Sequence, residues 1–118
     1  MSVTCELYGD ALIATLSGSI DRKTSPKLSE SLLEAAEPAT HVVCDLADVT
    51  YISSTGYRLL LHVYHLAAAK QGQVALVAPP PEIRETLFAT GFREFFVVAQ
   101  TIDDALEQLA RQSAAHAG

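Results

Sequence analysis

The sequence has no tryptophan, one methionine and only two cysteines among 118 residues. Cys5 and Cys44 form no C-x-x-C pair, so neither a disulfide framework nor a redox motif is implied. Both lie within apolar runs, which predicts two buried small hydrophobes. Positive charge is scarce as well: eight Lys and Arg stand against 14 Asp and Glu, a net charge of −6. Only Arg22-Lys23 are adjacent cations. Phosphate backbones are held by clustered Lys and Arg, so neither nucleic acid nor an anionic membrane is an expected partner. No apolar run approaches the roughly 20 residues of a bilayer span. The most apolar stretch, Leu59 to Ala69, is short and interrupted by His62 and His65. Met1 to Asp10 lacks the basic start and apolar run of a secretory signal. The expectation is a soluble cytoplasmic protein without a cofactor.

What is present is ordinary globular composition, 49% hydrophobic and 19% charged. The length suits one domain that buries about two-thirds of its unfolded surface. Val3 to Tyr8 reads as an edge strand, Gly9-Asp10 as a turn and Ala11 to Leu16 as its hairpin partner. Ser25-Pro26 suits a helix start, with Ser as cap and Pro at the first helical position. Leu28, Leu32, Ala35 and Ala36 follow at helical spacing until Pro38. His41 to Leu46 has no helical period and reads as a buried strand.

Asp48 to Gly56 reads as a polar turn, and Thr55 to Lys70 as a helix with Leu60, Val63, Tyr64 and Ala67 inward. Gln71-Gly72 closes it, the glycine suiting a left-handed cap. Val74 to Ala78 is the next buried strand. Pro79 to Pro81 open a short helix with Ile83, Leu87 and Phe88 inward, ended by Gly91. Glu94 to Ala99 reads as the last strand. Thr101 to Asp104 resembles a capping box and opens a helix that buries Ile102, Ala105, Leu106 and Leu109. The prediction is one α/β domain over residues 1–112, with a flexible tail over 113–118. Its sheet is mixed and largely parallel, of about five strands with about four helices.

The informative segment is Ser53-Ser54-Thr55-Gly56, between a buried strand and a helix. The first N–H groups of a helix lack internal partners, and the helix dipole favours negative charge there. A phosphate on a hydroxyl at this point adds nearly two negative charges without breaking the fold. One of the three hydroxyls is also expected to act only as the helix cap. Gly56 lacks a side chain, which would let a partner's backbone approach. Arg58, His62 and His65 fall on one helical face and could form the polar part of a contact. Asp21 follows a strand that should parallel the one before Ser54, which would bring both residues to one end of the sheet.

The run from Asp45 through Tyr51-Ile52-Ser53-Ser54-Thr55-Gly56-Tyr57-Arg58 to Leu61 resembles the anti-sigma factor antagonist branch of the STAS domain family. Leu16 to Asp21 is similar to that family's glycine-to-aspartate motif, and Thr90-Gly91-Phe92 through Leu106 to its closing strand and helix. The resemblance implies a single STAS-type domain that is not an enzyme. It implies phosphorylation of Ser54 by an anti-sigma factor with GHKL-type serine kinase activity. Unmodified, the domain would sequester that kinase; phosphorylated, it would release it, and a serine/threonine phosphatase acting on phospho-Ser54 would reset it. The implied docking surface is Asp21, Ser53, Ser54, Thr55, Gly56, Arg58 and His62. Many family members have aspartate where this chain has Ser53, although a Ser-Ser pair also occurs among them.

Two other readings compete. A serine hydrolase would need the G-x-S-x-G elbow and a nearby base; His62 and His65 lie well along the helix. Two histidines at i and i+3 without a neighbouring carboxylate make a weak metal site, and none is expected. Within the family, a constitutive interaction subunit of a lipid-transport or stress-sensing complex is the alternative, as is a switch whose output is not transcriptional.

Overall fold

The computed structural model describes residues 1–117, with side chains through Arg111. Two strands open the chain, β1 (Ser2–Tyr8) and β2 (Ala11–Ile20), and then helices and strands alternate. These are α1 (Ser25–Ala36), β3 (His41–Ile52), α2 (Ser54–Ala69), β4 (Val74–Val77), α3 (Pro81–Thr90), β5 (Val97–Ala99) and α4 (Ile102–Ala117). The five strands lie in the order β1-β2-β3-β4-β5. β1 is antiparallel to β2, and every later pairing is parallel. The expected α/β architecture and its mixed, mostly parallel sheet are therefore present. The expected tail, 113–118, falls where side chains, and at Gly118 the backbone, lie outside the described residues.

Three parallel crossovers step across the sheet in one direction. Right-handed connections then place their helices on one face. The buried residues agree: Leu28 and Leu32 of α1, Leu60 and Val63 of α2, and Ile83 and Leu87 of α3 share one cluster with Leu12, Cys44 and Leu76. α4 covers the other face, where Ala105 and Leu109 pack on Val43, Ala75 and Val97. The two clusters use alternate residues of β3, Val42 and Cys44 against Val43, as a two-residue strand period requires.

Several elements differ from expectation. β3 does not stop at Leu46; it continues to Ile52, through the segment read as a polar turn. Asp48, Thr50 and Tyr51 are exposed there because β4 pairs only as far as Asp45, so the far half of β3 has β2 as its single neighbour. Register shifts between Thr15 and Ser17 and between Gly18 and Ser19 break the alternation further. The Phe-rich segment before the last strand is a 3₁₀ turn, Phe92–Phe95, and only Val97–Ala99 is strand. Phe88 points outward at 56% exposure, with the Arg93 guanidinium 4.2 Å above its ring. Leu106 and Ile102 are only half-buried.

Cys44 is buried as expected, but Cys5 is exposed. β1 is the edge strand, and α1 does not cover it fully: Cys5 lines an open groove with Leu7, Ala35 and Pro38. Thr24 precedes α1 in the capping position; Ser25 is its first helical residue and caps nothing. At the end of α2 the left-handed residue is Gln71 (φ 62°), not Gly72. The Gly72 N–H reaches the Ala67 carbonyl at 2.7 Å and that of Gln71 the Ala68 carbonyl at 2.9 Å, the paired bonds of a Schellman end. Gly72 is needed for space, since a Cβ there would lie 1.7 Å from the Thr40 carbonyl oxygen. Lys70, unremarked in the sequence, donates to the Ala36 and Ala39 carbonyls at 3.2 and 3.0 Å and also to that of Glu37, closing the C-terminal end of α1.

Candidate functional site

The site is assembled where β2 and β3 end together. Ser19 pairs with Tyr51 and Ile20 with Ile52. The Ser53 N–H then donates to the Ile20 carbonyl at 2.8 Å. Beyond that bond the two chains part, one through Asp21 toward α1 and the other into α2. Asp21 and Ser54 therefore do share one end of the sheet.

The three hydroxyls of the turn have different tasks. Ser53 is extended (φ −80°, ψ 172°), and its Oγ accepts from the Gly56 N–H at 3.2 Å. Ser53 is thus the helix cap. Ser54 is the first helical residue, exposed, and its side chain makes no hydrogen bond among the described residues. Thr55 follows, half-buried. No acidic residue occupies the first turn of α2, so the positive end of its dipole is not already neutralised.

Gly56 faces inward. A Cβ at this position would lie 2.7 Å from Ile52 Cγ2, 2.9 Å from Ile20 Cγ2 and 3.0 Å from the Ile20 carbonyl oxygen. The missing side chain lets the chain's own strand ends approach α2. It does not open a path for a partner's backbone, as its sequence position had suggested.

The Asp21 carboxylate is engaged within its own loop. Its Oδ1 accepts from the N–H groups of Lys23 at 2.9 Å and Thr24 at 3.1 Å, and Ser19 Oγ donates to Oδ2 at 3.2 Å. In return the Asp21 N–H donates to Thr24 Oγ1 at 2.9 Å. The Thr24 N–H above all, helped by the Lys23 N–H and the Ser19 and Thr24 hydroxyls, holds its pKa below the ordinary 3.8 against a smaller effect of desolvation. This loop fixes the entry of α1, whose Ser25 N–H bonds the Asp21 carbonyl at 2.8 Å.

Thr55, Arg58, Leu59 and His62 recur at i, i+3, i+4 and i+7 and form one wall of a groove of about 280 Å³. Ser25, Pro26 and Ser29 of α1 form the other wall. The sequence marked Ser25 and Pro26 only as a helix start and did not place the α1 residues at this groove, since the crossing of two helices is a tertiary event. His65 is not part of this groove; its ring meets the Tyr64 ring edge-on, with centroids 5.2 Å apart. On the far flank of α2, Tyr57 and Tyr64 pack edge-to-face on Phe92 and Phe95 at 5.7 and 5.3 Å. That flank is covered, so Ser54, Arg58 and His62 remain on the open side. Tyr51, read from the sequence as part of the polar turn, stands instead near the end of β3 and is 56% exposed.

Comparison with known proteins fits this geometry. The family model for the STAS domain matches residues 2–105. The chain belongs to the STAS domain family. This STAS domain is 31% identical over 106 residues to BtrV of Bordetella bronchiseptica, which is named as an anti-sigma factor antagonist; the match covers 89% of this chain and 91% of the relative. It is 25% identical over 111 residues to the anti-sigma F factor antagonist of Paenibacillus polymyxa, covering 92% and 95%. Its fold superimposes on the crystal structure of an anti-sigma factor antagonist from Mycobacterium paratuberculosis with a TM-score of 0.82, 27% identity and 92% and 93% coverage. Among the described residues no helix of this STAS domain is long and apolar enough to cross a membrane.

Proposed function

We propose that this STAS domain is an anti-sigma factor antagonist, a binding module and not an enzyme, switched by phosphorylation of Ser54. The observation that carries the reading is the division of labour at the turn. Ser53 takes the cap, and Ser54 is left exposed and unpaired at the start of α2. The names of its relatives in Bordetella and Paenibacillus support the same role.

In this reading the partner is an anti-sigma factor with GHKL-type serine kinase activity. It docks on the open side of α2, over Ser54, Thr55, Arg58 and His62, with Asp21 and Ser53 at the rim and Gly56 setting the height of the helix. Phosphorylation places a dianion in that interface. Burying an uncompensated charge costs several kcal/mol. A loss of about 3–4 kcal/mol is two to three decades in affinity. The helix N-terminus tolerates the phosphate, so the switch needs no refolding of the domain. A serine/threonine phosphatase returns phospho-Ser54 to the binding state.

The test is binding of a candidate GHKL-type kinase partner to wild type, Ser54→Ala and Ser54→Asp, with mass spectrometry after incubation with ATP. The expected result is phosphate on Ser54, full binding by Ser54→Ala and weakened binding by Ser54→Asp. Equal binding by all three, or phosphate only on Ser53 or Thr55, refutes the proposal. Co-purification with a transporter ATPase in place of a kinase would point to the constitutive alternative.

A further inference from the structure

The first strand leaves one side of the sheet open. β1 is the outer strand, and among the described residues only β2 pairs with it. The Asp10 carbonyl turns toward β3, where it accepts from the Thr40 and His41 N–H groups at 2.8 and 3.1 Å. Backbone groups alternate sides along a strand, so those of Ala11 turn the other way, toward its partner Tyr8. Tyr8, Glu6, Thr4 and Ser2 therefore bond to β2. The N–H and C=O groups of Val3, Cys5 and Leu7 face outward.

Edge strands are commonly blunted by a lysine, a proline, a bulge or a short length. β1 has none of these. It runs seven residues in unbroken register with β2, and its one charge is Glu6. Leu7 and Tyr8 are 52% and 66% exposed. On the α1 side, Val3, Cys5 and Leu7 form one wall of an open groove of about 660 Å³, and Ser31, Ala35 and Pro38 of α1 form the other.

We propose that β1 pairs with β1 of a second copy of this chain, antiparallel about a twofold axis at Cys5, so that the two five-stranded sheets become one. The strand is self-complementary in this register, as a twofold interface requires. Outward-facing Val3 meets Leu7 of the second copy, and Cys5 meets Cys5, so each such pair exchanges both of its backbone hydrogen bonds. Every residue from Ser2 to Tyr8 finds an opposite. On the other face Glu6 meets Thr4 of the second copy. Centring the axis one residue later would set Glu6 against Glu6, a destabilising like-charge pair.

The helices favour a second copy over a bare peptide strand. The axis is perpendicular to the sheet, so both α1 helices lie on the same face. α1 packs over both β1 and β2. With strands about 4.8 Å apart, the two α1 axes fall about 10 Å apart across the seam, the distance at which helices pack. The second α1 closes the groove that a peptide would leave open. The Ser54 ends of the two domains point in opposite directions, so the dimer leaves the open side of each α2 uncovered. A seam of seven residues is short of the roughly 1,600 Å² of a standard stable interface, so the dimer exchanges with monomer. It forms whether or not Ser54 is modified.

The test is sedimentation velocity of the full chain from about 1 μM to about 1 mM. A monomer–dimer equilibrium within that range is expected. Added salt should tighten it, because each copy carries a net charge of −6. A short bismaleimide should link Cys5 to Cys5, since Cys44 is fully buried. Cys5→Lys and Cys5→Glu should each weaken the dimer severalfold by placing like charges at the axis. An equimolar mixture of the two variants should restore association as a heterodimer, which a misfolded variant could not do. A chain that stays monomeric throughout overturns the proposal and leaves the edge to a strand of a different protein. A dimer that neither variant weakens, or weakened variants that mixing does not rescue, also overturns it and would place self-association on another face.

Discussion

The Ser53 N–H meets the Ile20 carbonyl at 2.8 Å, so Asp21 and Ser54 each stand one residue beyond a single hydrogen bond. That bond joins the ends of two parallel strands and sets both helices that leave them. The proposed switch is therefore built on sheet backbone, with a short turn between the last strand pair and the modified hydroxyl.

The cap and the proposed modification site are neighbouring serines. Ser53→Ala loses the bond to the Gly56 N–H and should cost about 1 kcal/mol. Ser54→Ala loses no bond within the chain and should stay within about 0.5 kcal/mol of wild type. Urea unfolding of both variants checks this; equal destabilisation would mean that Ser53 is not the sole cap.

Glycine is required at two positions by space, not by φ. Gly56→Ala forces a Cβ to within 2.7 Å of Ile52 Cγ2 and 3.0 Å of the Ile20 carbonyl oxygen, an overpacking expected to cost about 1–3 kcal/mol. Gly72→Ala meets the Thr40 carbonyl oxygen at 1.7 Å and should be the more damaging of the two. Gln71→Gly, beside it, relieves a left-handed residue and should stabilise by roughly 0.5–1 kcal/mol. Thermal midpoints in the order Gln71→Gly, wild type, Gly56→Ala, Gly72→Ala, from highest to lowest, are the expected outcome.

Asp21 gives a pH signature. Its folded pKa lies below 3.8, so its carboxylate contributes stability that is fully present above the unfolded value and is lost as pH falls through the folded one. Asp21→Asn can still accept from the Lys23 and Thr24 N–H groups but carries no charge. It should be less stable than wild type at pH 7, and the gap should close as pH falls through the folded value. Denaturant midpoints at several pH values measure it; a gap that persists at low pH would assign the effect to packing.

The two thiols should react very differently. Complete burial pushes the Cys44 thiol up to about 12, while Cys5 is exposed on the edge strand. A thiol-alkylating reagent at pH 8 should modify Cys5 alone in the native protein and both residues in denaturant. Peptide mapping reads this directly, and native labelling of Cys44 would indicate local opening of β3.

The sequence was most legible where burial was two-sided or periodic. Val42, Val43 and Cys44 mark a strand covered on both faces, and Leu60, Val63 and Ala67 mark one face of α2. It was least legible where a strand has one neighbour: Asp48 to Ile52 reads as a turn because bulges and one-sided pairing remove the alternation. The aromatic run before β5 has strand propensity, but its rings pack on Tyr57 and Tyr64, and the backbone follows as a 3₁₀ turn. At the site, spacing placed the hydroxyls at the start of a helix and could not rank them. The Ser53 bond to Gly56 does so, and it depends on one backbone conformation. The α1 wall of the groove was invisible, because Ser25 and Ser29 acquire their meaning only when α1 crosses α2.

The order of the sheet has a consequence for synthesis. Each strand pairs with the one made just before it, so no segment must wait for the C-terminal end to find its neighbour. A chain emerging from the ribosome can add β3 to a finished β1–β2 hairpin and close each crossover as it appears. The β2–β3 junction beneath Ser54 can form early, while α4, which seals the second face, arrives last. Until then Val43, Ala75 and Val97 remain uncovered. The nascent chain is thus most exposed to aggregation on the face opposite the one packed by α1, α2 and α3.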